Sequence, residues 1–318
     1  MNIALLDDYQ NVAMKMADWN SLAPRATVTA FPDHLDGIDA LAERLHPFDA
    51  VMLMRERTRV PRALLERLPN LKLLITAAMW NASVDIDAAT ERGIQVCGTD
   101  DLPTPAAEMA LGLMLALARA IPQEERAIRA GRWQTTLGVG LNGKTLGVIG
   151  LGNLGRQMAG YGKVLGMKVL AWSQNLSNEA AAAAGAQRVN LDVLLAESDV
   201  VSIHSKLSER TRGLLGAREL SLMRPTAYLV NTARGPIVDQ TALLAALAEK
   251  RIGGAALDVF DVEPMPVDHP FLALENVVLA PHVGYVTEEN YRLIYGDVLE
   301  DIVAFLDGKL VRPLNTLS

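Results

Sequence analysis

Residues 145–175 read T-L-G-V-I-G-L-G-N-L-G-R-Q-M-A-G-Y-G-K-V-L-G-M-K-V-L-A-W-S-Q-N, and this stretch decides the fold. An apolar run opens it, Gly150, Gly152 and Gly155 follow in G-x-G-x-x-G spacing, a helical segment continues to about Leu165, and a second β-type run over 167–172 closes it. The pattern predicts a strand, a glycine turn, a helix and a parallel strand. The spacing has a physical reading: one glycine makes the tight turn, the second lets backbone approach a pyrophosphate, and the third lets helix and strand pack closely. The helix N-terminus, with Asn153 and Leu154 in its first turn, then offers unpaired N–H groups to the phosphates. Dinucleotide binding is the expected use. An acidic residue roughly 20 positions after the first glycine ordinarily takes the ribose hydroxyls and repels a 2′-phosphate. Here that place is held by Ser173, followed by Gln174 and Asn175, so no carboxylate enforces NAD and no arginine invites NADP.

The regions on either side extend the α/β reading. β-type runs at 3–6, 27–30, 50–54, 71–76 and 94–96 alternate with segments of helical period such as 41–45 and 63–68, which predicts a first parallel α/β unit over about 1–100. Pro105 opens a long apolar helix and marks the boundary. Further strand signals at 199–203, 227–231, 255–259 and 276–280 complete a doubly wound sheet of six or seven strands with the two already described. The last helix, near 287–306, carries Ile294, Val298, Ile302 and Phe305 at helical spacing and is expected to return to the first unit. The domains are therefore 1–100 with 285–318, and 101–284.

Composition narrows the class. Half of the 318 residues are hydrophobic and the formal charge is −7, which suits a globular protein of about two domains and argues against nucleic acid as the main partner. The single cysteine, Cys97, allows no intrachain disulfide and no cysteine metal cluster, and points to a reducing compartment. Two aspartates soon after the amino terminus are incompatible with a signal peptide, and the most apolar helix stops at Arg119, so a cytoplasmic protein without a membrane partner is expected.

Each strand of the second unit ends in polar residues: His204 and Lys206, then Thr232 and Arg234, then Asp258 to Glu263, then His282. Parallel strands align their carboxyl ends, so these groups are expected on one rim. A histidine paired with a carboxylate can pass a proton to a carbonyl oxygen, which fits His282 and Glu263. Arg234 can hold a carboxylate by paired hydrogen bonds, and no metal is required. In the first unit, the loops Arg55-Glu56-Arg57 and Ala78-Met79-Trp80 also follow strand ends; the arginines read equally as solvated charges, and Trp80 as packing or as the wall of a pocket. Trp133, on a polar arm, reads as an anchor against a neighbouring subunit or domain.

These motifs resemble the D-isomer-specific 2-hydroxyacid dehydrogenases nearly end to end: G-K-T-L-G-V-I-G-L-G-N-L-G from Gly143, N-T-A-R-G-P-I-V-D from Asn231, A-L-D-V-F-D-V-E-P from Ala256 and A-P-H-V-G-Y from Ala280. The resemblance implies a homodimer with a Rossmann-type cofactor domain and a flavodoxin-like substrate domain split between the termini. It implies NAD or NADP as cofactor, NAD narrowly favoured, and a small 2-oxo or 2-hydroxy acid as substrate. It further implies Arg234 at the substrate, Glu263 and His282 in proton transfer, Asp258 near the nicotinamide amide, Thr232 among the cofactor contacts, and Arg55, Ala78, Met79 and Trp80 at the substrate. Ser173 departs from the family's frequent aspartate, His204-Ser205-Lys206-Leu207 from its H-x-P-L near the adenosine, and Ala78 from a common glycine. Phosphoglycerate as substrate would need basic residues, for which Arg55 and Arg57 are the candidates. The alternative function is a dinucleotide-sensing binding protein, resembling corepressors of this fold, without significant turnover.

Overall fold

In the computed structural model, which describes residues 1–317, the chain divides into two compact units: residues 1–102 with the tail from 286 onward, and residues 103–285.

The first unit holds a five-stranded parallel sheet. Its strands are β1 (Asn2–Leu5), β2 (Thr27–Ala30), β3 (Ala50–Leu53), β4 (Leu73–Thr76) and β5 (Gln95–Gly98), in the order β2-β1-β3-β4-β5. That is the flavodoxin-like order, with its reversal between β1 and β3. The three central strands are apolar at nearly every position because helices cover both faces, the pattern parallel sheets impose. The helix Glu288–Leu306 belongs to this unit, is capped by the Thr287 hydroxyl on Asn290 N–H, and buries Ile294, Val298 and Ile302. The chain beyond it returns to β5, where Asn315 Oδ1 accepts the Val96 N–H at 2.8 Å.

The second unit holds seven parallel strands: β6 (Thr145–Ile149), β7 (Lys168–Trp172), β8 (Gln187–Arg188), β9 (Val200–Ile203), β10 (Tyr228–Asn231), β11 (Gly254–Leu257) and β12 (Val277–Leu279). Their order is β12-β11-β10-β9-β6-β7-β8, a doubly wound sheet whose direction of travel reverses between β6 and β9. Side chains alternate between two cores. Leu146, Val148, Val200 and Val230 pack on one face, Ile149, Val201, Ile203 and Leu229 on the other. The helix Pro105–Ala118 lies in the first of these cores through Ala110, Leu113, Met114 and Leu117. No single helix among the described residues is long and apolar enough to cross a membrane.

One buried charge in the first unit has a measurable signature. Asp301, on the helix Glu288–Leu306, is almost completely buried, 3.4 Å from the Arg312 guanidinium that also pairs with Glu300. Burial pushes the Asp301 carboxyl up to about 7, outweighing the downward pull of Arg312. The folded chain thus binds this proton more tightly than the unfolded chain, and stability falls as pH rises from about 4 to about 7. Asp301→Asn should gain on the wild type across that window by on the order of 2 kcal/mol and run parallel above it. Urea midpoints at pH 4, 6 and 8 test this.

Candidate active site

The glycine turn sits at the carboxyl end of β6, where the seven-stranded sheet reverses. Gly150 has φ +93°, and a Cβ there would lie 2.7 Å from the Ser205 N and Oγ, so the loop after β9 rests directly on the turn. At Gly155 a Cβ would come within 2.0 Å of the Gly150 carbonyl oxygen, which only glycine permits. Gly152, by contrast, faces open space at the start of the helix Asn153–Val164, which has no side-chain cap. Its leading N–H groups, from Asn153 and Leu154 onward, are the unsatisfied donors of a helix start and suit a pyrophosphate. The residues present fit a dinucleotide.

Three neighbours complete this region. Ser173, half-buried at the end of β7, accepts the Leu151 N–H on Oγ at 2.9 Å and so ties the glycine turn to the following strand. His204 contacts Ser202 Oγ through Nε2 at 2.9 Å, and its buried Nδ1 has no hydrogen-bond partner. Burial pushes its pKa down to about 4, so the ring is neutral. Lys206 is exposed, and its ammonium makes no ion pair among the described residues.

The other strand ends carry a paired histidine and carboxylate and the groups that brace them. Glu263 is shared: one oxygen accepts the Phe260 N–H at 2.8 Å, the other meets His282 Nδ1 at 2.5 Å. His282 adopts φ +53°, a left-handed conformation that histidine tolerates at some cost, and its ring meets Tyr285 edge-on at 5.8 Å. The two residues that follow are held by Asp258, whose oxygens accept the Val283 and Gly284 N–H groups, each at 2.8 Å. Burial pushes the Asp258 carboxyl up to about 6, although both N–H groups and His282 favour its ionised form. Arg234 and Thr232 are half-buried after β10. Arg234 donates to the Ala233 carbonyl at 2.7 Å, and Asn231 braces the turn by accepting from Ala233 N and donating to the Arg234 carbonyl. Gly235 packs against the Phe260 backbone, so the turns after β10 and β11 are in contact.

All of these groups lie at the carboxyl ends of parallel neighbouring strands. Arg55, Ala78, Met79 and Trp80 lie elsewhere, on the carboxyl rim of the five-stranded sheet. Arg55 pairs with Asp101 at 2.9 Å, while Ala78 takes φ +80° and donates its N–H to Thr99 Oγ1 at 3.0 Å. Sequence reasoning did not single out Asn231, Tyr285 or Tyr9. Asn231 and Tyr285 carried a signal, as the first letter of the N-T-A-R-G-P-I-V-D run and the last of the A-P-H-V-G-Y run; Tyr9 carried none.

Residues 111–284 match the family model of the D-isomer specific 2-hydroxyacid dehydrogenase NAD binding domain. The chain belongs to this dehydrogenase family. It is 39% identical to a glyoxylate reductase of Thermococcus litoralis over 85% of this chain and 84% of that protein. It is also 39% identical to a D-3-phosphoglycerate dehydrogenase of Archaeoglobus fulgidus, over 86% of this chain and 52% of that protein. Among solved structures, a phosphoglycerate oxidoreductase from Vibrio cholerae o395 superposes with a TM-score of 0.93 at 36% identity, covering 97% of this chain and 99% of that one. The dehydrogenase is thus an oxidoreductase of 2-oxo and D-2-hydroxy acids that uses NAD or NADP. These likenesses do not favour a sensing protein without turnover.

The position of Ser173 makes a test of cofactor choice direct. A carboxylate placed there should repel a 2′-phosphate. Ser173→Asp is expected to lower kcat/KM for NADPH at least ~10-fold relative to NADH. An unchanged ratio would remove Ser173 from the adenosine site.

Proposed function

We propose that the enzyme interconverts a 2-oxo acid and its D-2-hydroxy acid with His282 as proton donor and acceptor, Glu263 as its partner, and Arg234 holding the substrate carboxylate. The observation that carries this reading is the His282–Glu263 pair: Nδ1 is engaged by the carboxylate at 2.5 Å, and Nε2 makes no hydrogen bond among the described residues. With Nδ1 fixed, the ring has one orientation and one nitrogen left for chemistry. In reduction Nε2–H gives its proton to the carbonyl oxygen; in oxidation Nε2 takes the hydroxyl proton. Glu263 stabilises the imidazolium in the protonated state and is itself held by the Phe260 N–H.

The nicotinamide, when bound, supplies or accepts the hydride at the substrate carbon. Gly150, Gly152, Asn153, Leu154 and Gly155 hold the pyrophosphate; Ser173, His204 and Lys206 serve the adenosine; Thr232 and Asp258 lie toward the nicotinamide. Asp258 has a second role, because its hydrogen bonds to Val283 and Gly284 fix the loop that carries His282. Arg234 offers a planar fork of donors that matches a carboxylate and fixes the carbonyl carbon. In the first unit Arg55, Ala78, Met79 and Trp80 contribute substrate contacts.

The working state we propose is a cytoplasmic homodimer. Ile121, Ile128 and Trp133 line a recess of about 510 Å³, and Trp133 is 74% exposed, which suits cover by a second copy. Cys97 is buried and its thiol is pushed up to about 12 by burial, so it is inert in a reducing compartment.

His282→Ala should lower kcat by the ~10²–10⁴ typical of losing a general acid–base group, with cofactor affinity nearly intact. Steady-state rates and fluorescence titration with NADH separate the two quantities. Retained turnover would remove His282 from the chemistry. Arg234→Ala should instead raise KM and lower kcat together.

A further inference from the structure

Arg234 can fix a substrate only if the backbone that carries it is itself fixed. It stands on a short turn between β10, which ends at Asn231, and the single 3-10 turn Gly235–Ile237. Backbone leaving a sheet rim has no ladder of its own, so its polar groups need other partners. Here one side chain supplies two of them. Asn231 Oδ1 accepts the Ala233 N–H at 3.0 Å, and Asn231 Nδ2 donates to the Arg234 carbonyl at 3.0 Å. The amide thus grips the chain on either side of the Arg234 Cα.

The brace is anchored. Asn231 is 1% exposed, and its backbone pairs in register with Ile203 on β9 and Leu257 on β11, so the side chain starts from a strand held on both sides. Removing the amide would leave a donor and an acceptor of the turn without these bonds, the costly way to lose a hydrogen bond. The guanidinium follows the same backbone: Arg234 Nη1 donates to the Ala233 carbonyl at 2.7 Å, between the two gripped groups. On the far side Gly235 is pressed onto the next turn, where a Cβ would lie 2.2 Å from the Phe260 carbonyl carbon. The Phe260 N–H is the one that Glu263 accepts, and Glu263 engages His282. The turn carrying the arginine is therefore set against the turn carrying Glu263.

An asparagine suits this place because its amide carries a donor and an acceptor in one plane. An ionised aspartate would offer two acceptors, one of them facing the Arg234 carbonyl, and alanine would offer neither group. We infer that Asn231 is a positioning residue of the enzyme: its amide sets the turn that aims Arg234 at the substrate carboxylate, and it acts on the reaction through that arginine. This inference rests on the reading of Arg234 given above.

The test is a double-mutant cycle in the purified full chain saturated with NADH: wild type, Asn231→Ala, Arg234→Ala and the double variant. Two quantities are read. One is the affinity for oxamate, a carboxylate with the shape of a small 2-oxo acid, from the change in NADH fluorescence; the other is kcat/KM for glyoxylate and pyruvate. Asn231→Ala should weaken oxamate and lower kcat/KM at least ~10-fold where Arg234 is present, and by less than ~2-fold where Arg234 is already alanine. Asn231→Asp should lose as much at about pH 8 and regain several-fold relative to wild type at about pH 5.5, where a buried carboxyl takes up a proton and recovers the donor. That arm is read without Arg234→Ala, and no recovery at low pH would overturn the inference. Losses of equal size with and without Arg234, or an Asn231→Ala chain as active as wild type, would overturn it too and leave the dehydrogenase reading standing. If Arg234→Ala itself changes neither quantity, the reading of Arg234 falls and the inference with it.

Discussion

Two backbone N–H groups, those of Val283 and Gly284, end on one buried carboxylate, Asp258, and the placing of the His282–Glu263 pair depends on that clamp. Without it the loop after β12 would have no reason to hold His282 at φ +53°. A left-handed histidine costs free energy and persists only when its surroundings over-determine it. Here the surroundings act from both sides: Glu263 fixes the ring, Asp258 fixes the chain that follows, and Tyr285 packs against the ring edge. Glu263 and Asp258 both come from the turn after β11, so one segment orients the whole histidine. Burial explains the rise of the Asp258 carboxyl to about 6 despite two donors.

The cofactor region works through space kept empty. Gly155 and Gly150 are required by contacts that a Cβ would make with backbone at 2.0 and 2.7 Å, whereas Gly152 faces nothing and leaves the helix start open. The same crowding joins the loop after β9 to the glycine turn through Ser205, and Ser173 joins the end of β7 to it through Leu151. Ser173 is thus a structural hydroxyl as well as the residue standing where a carboxylate would select NAD.

The resemblance to glyoxylate reductases and phosphoglycerate dehydrogenases settles the reaction class but leaves the side chain of the substrate open. On the rim of the five-stranded sheet Arg55 pairs with Asp101, Arg57 lies over Tyr9, and Met79 and Trp80 are exposed.

Sequence alone determined what is local or repeated. The glycine spacing after an apolar run, the alternation of strands and helices, and the period of the helix Glu288–Leu306 each depend on residues a few positions apart, and each is found in the structure. Polar residues after successive parallel strands also placed Arg234, Glu263 and His282 on a common rim, because parallel strands leave no other arrangement. Tertiary structure alone decided which of those groups pair. That Asp258 grips the backbone 25 and 26 positions later, that Arg55 meets Asp101, and that Arg57 lies over Tyr9 are contacts across long separations, set by strand order and loop geometry. No periodicity records them, since each requires two distant segments to be brought within a few ångströms by a core built from other residues.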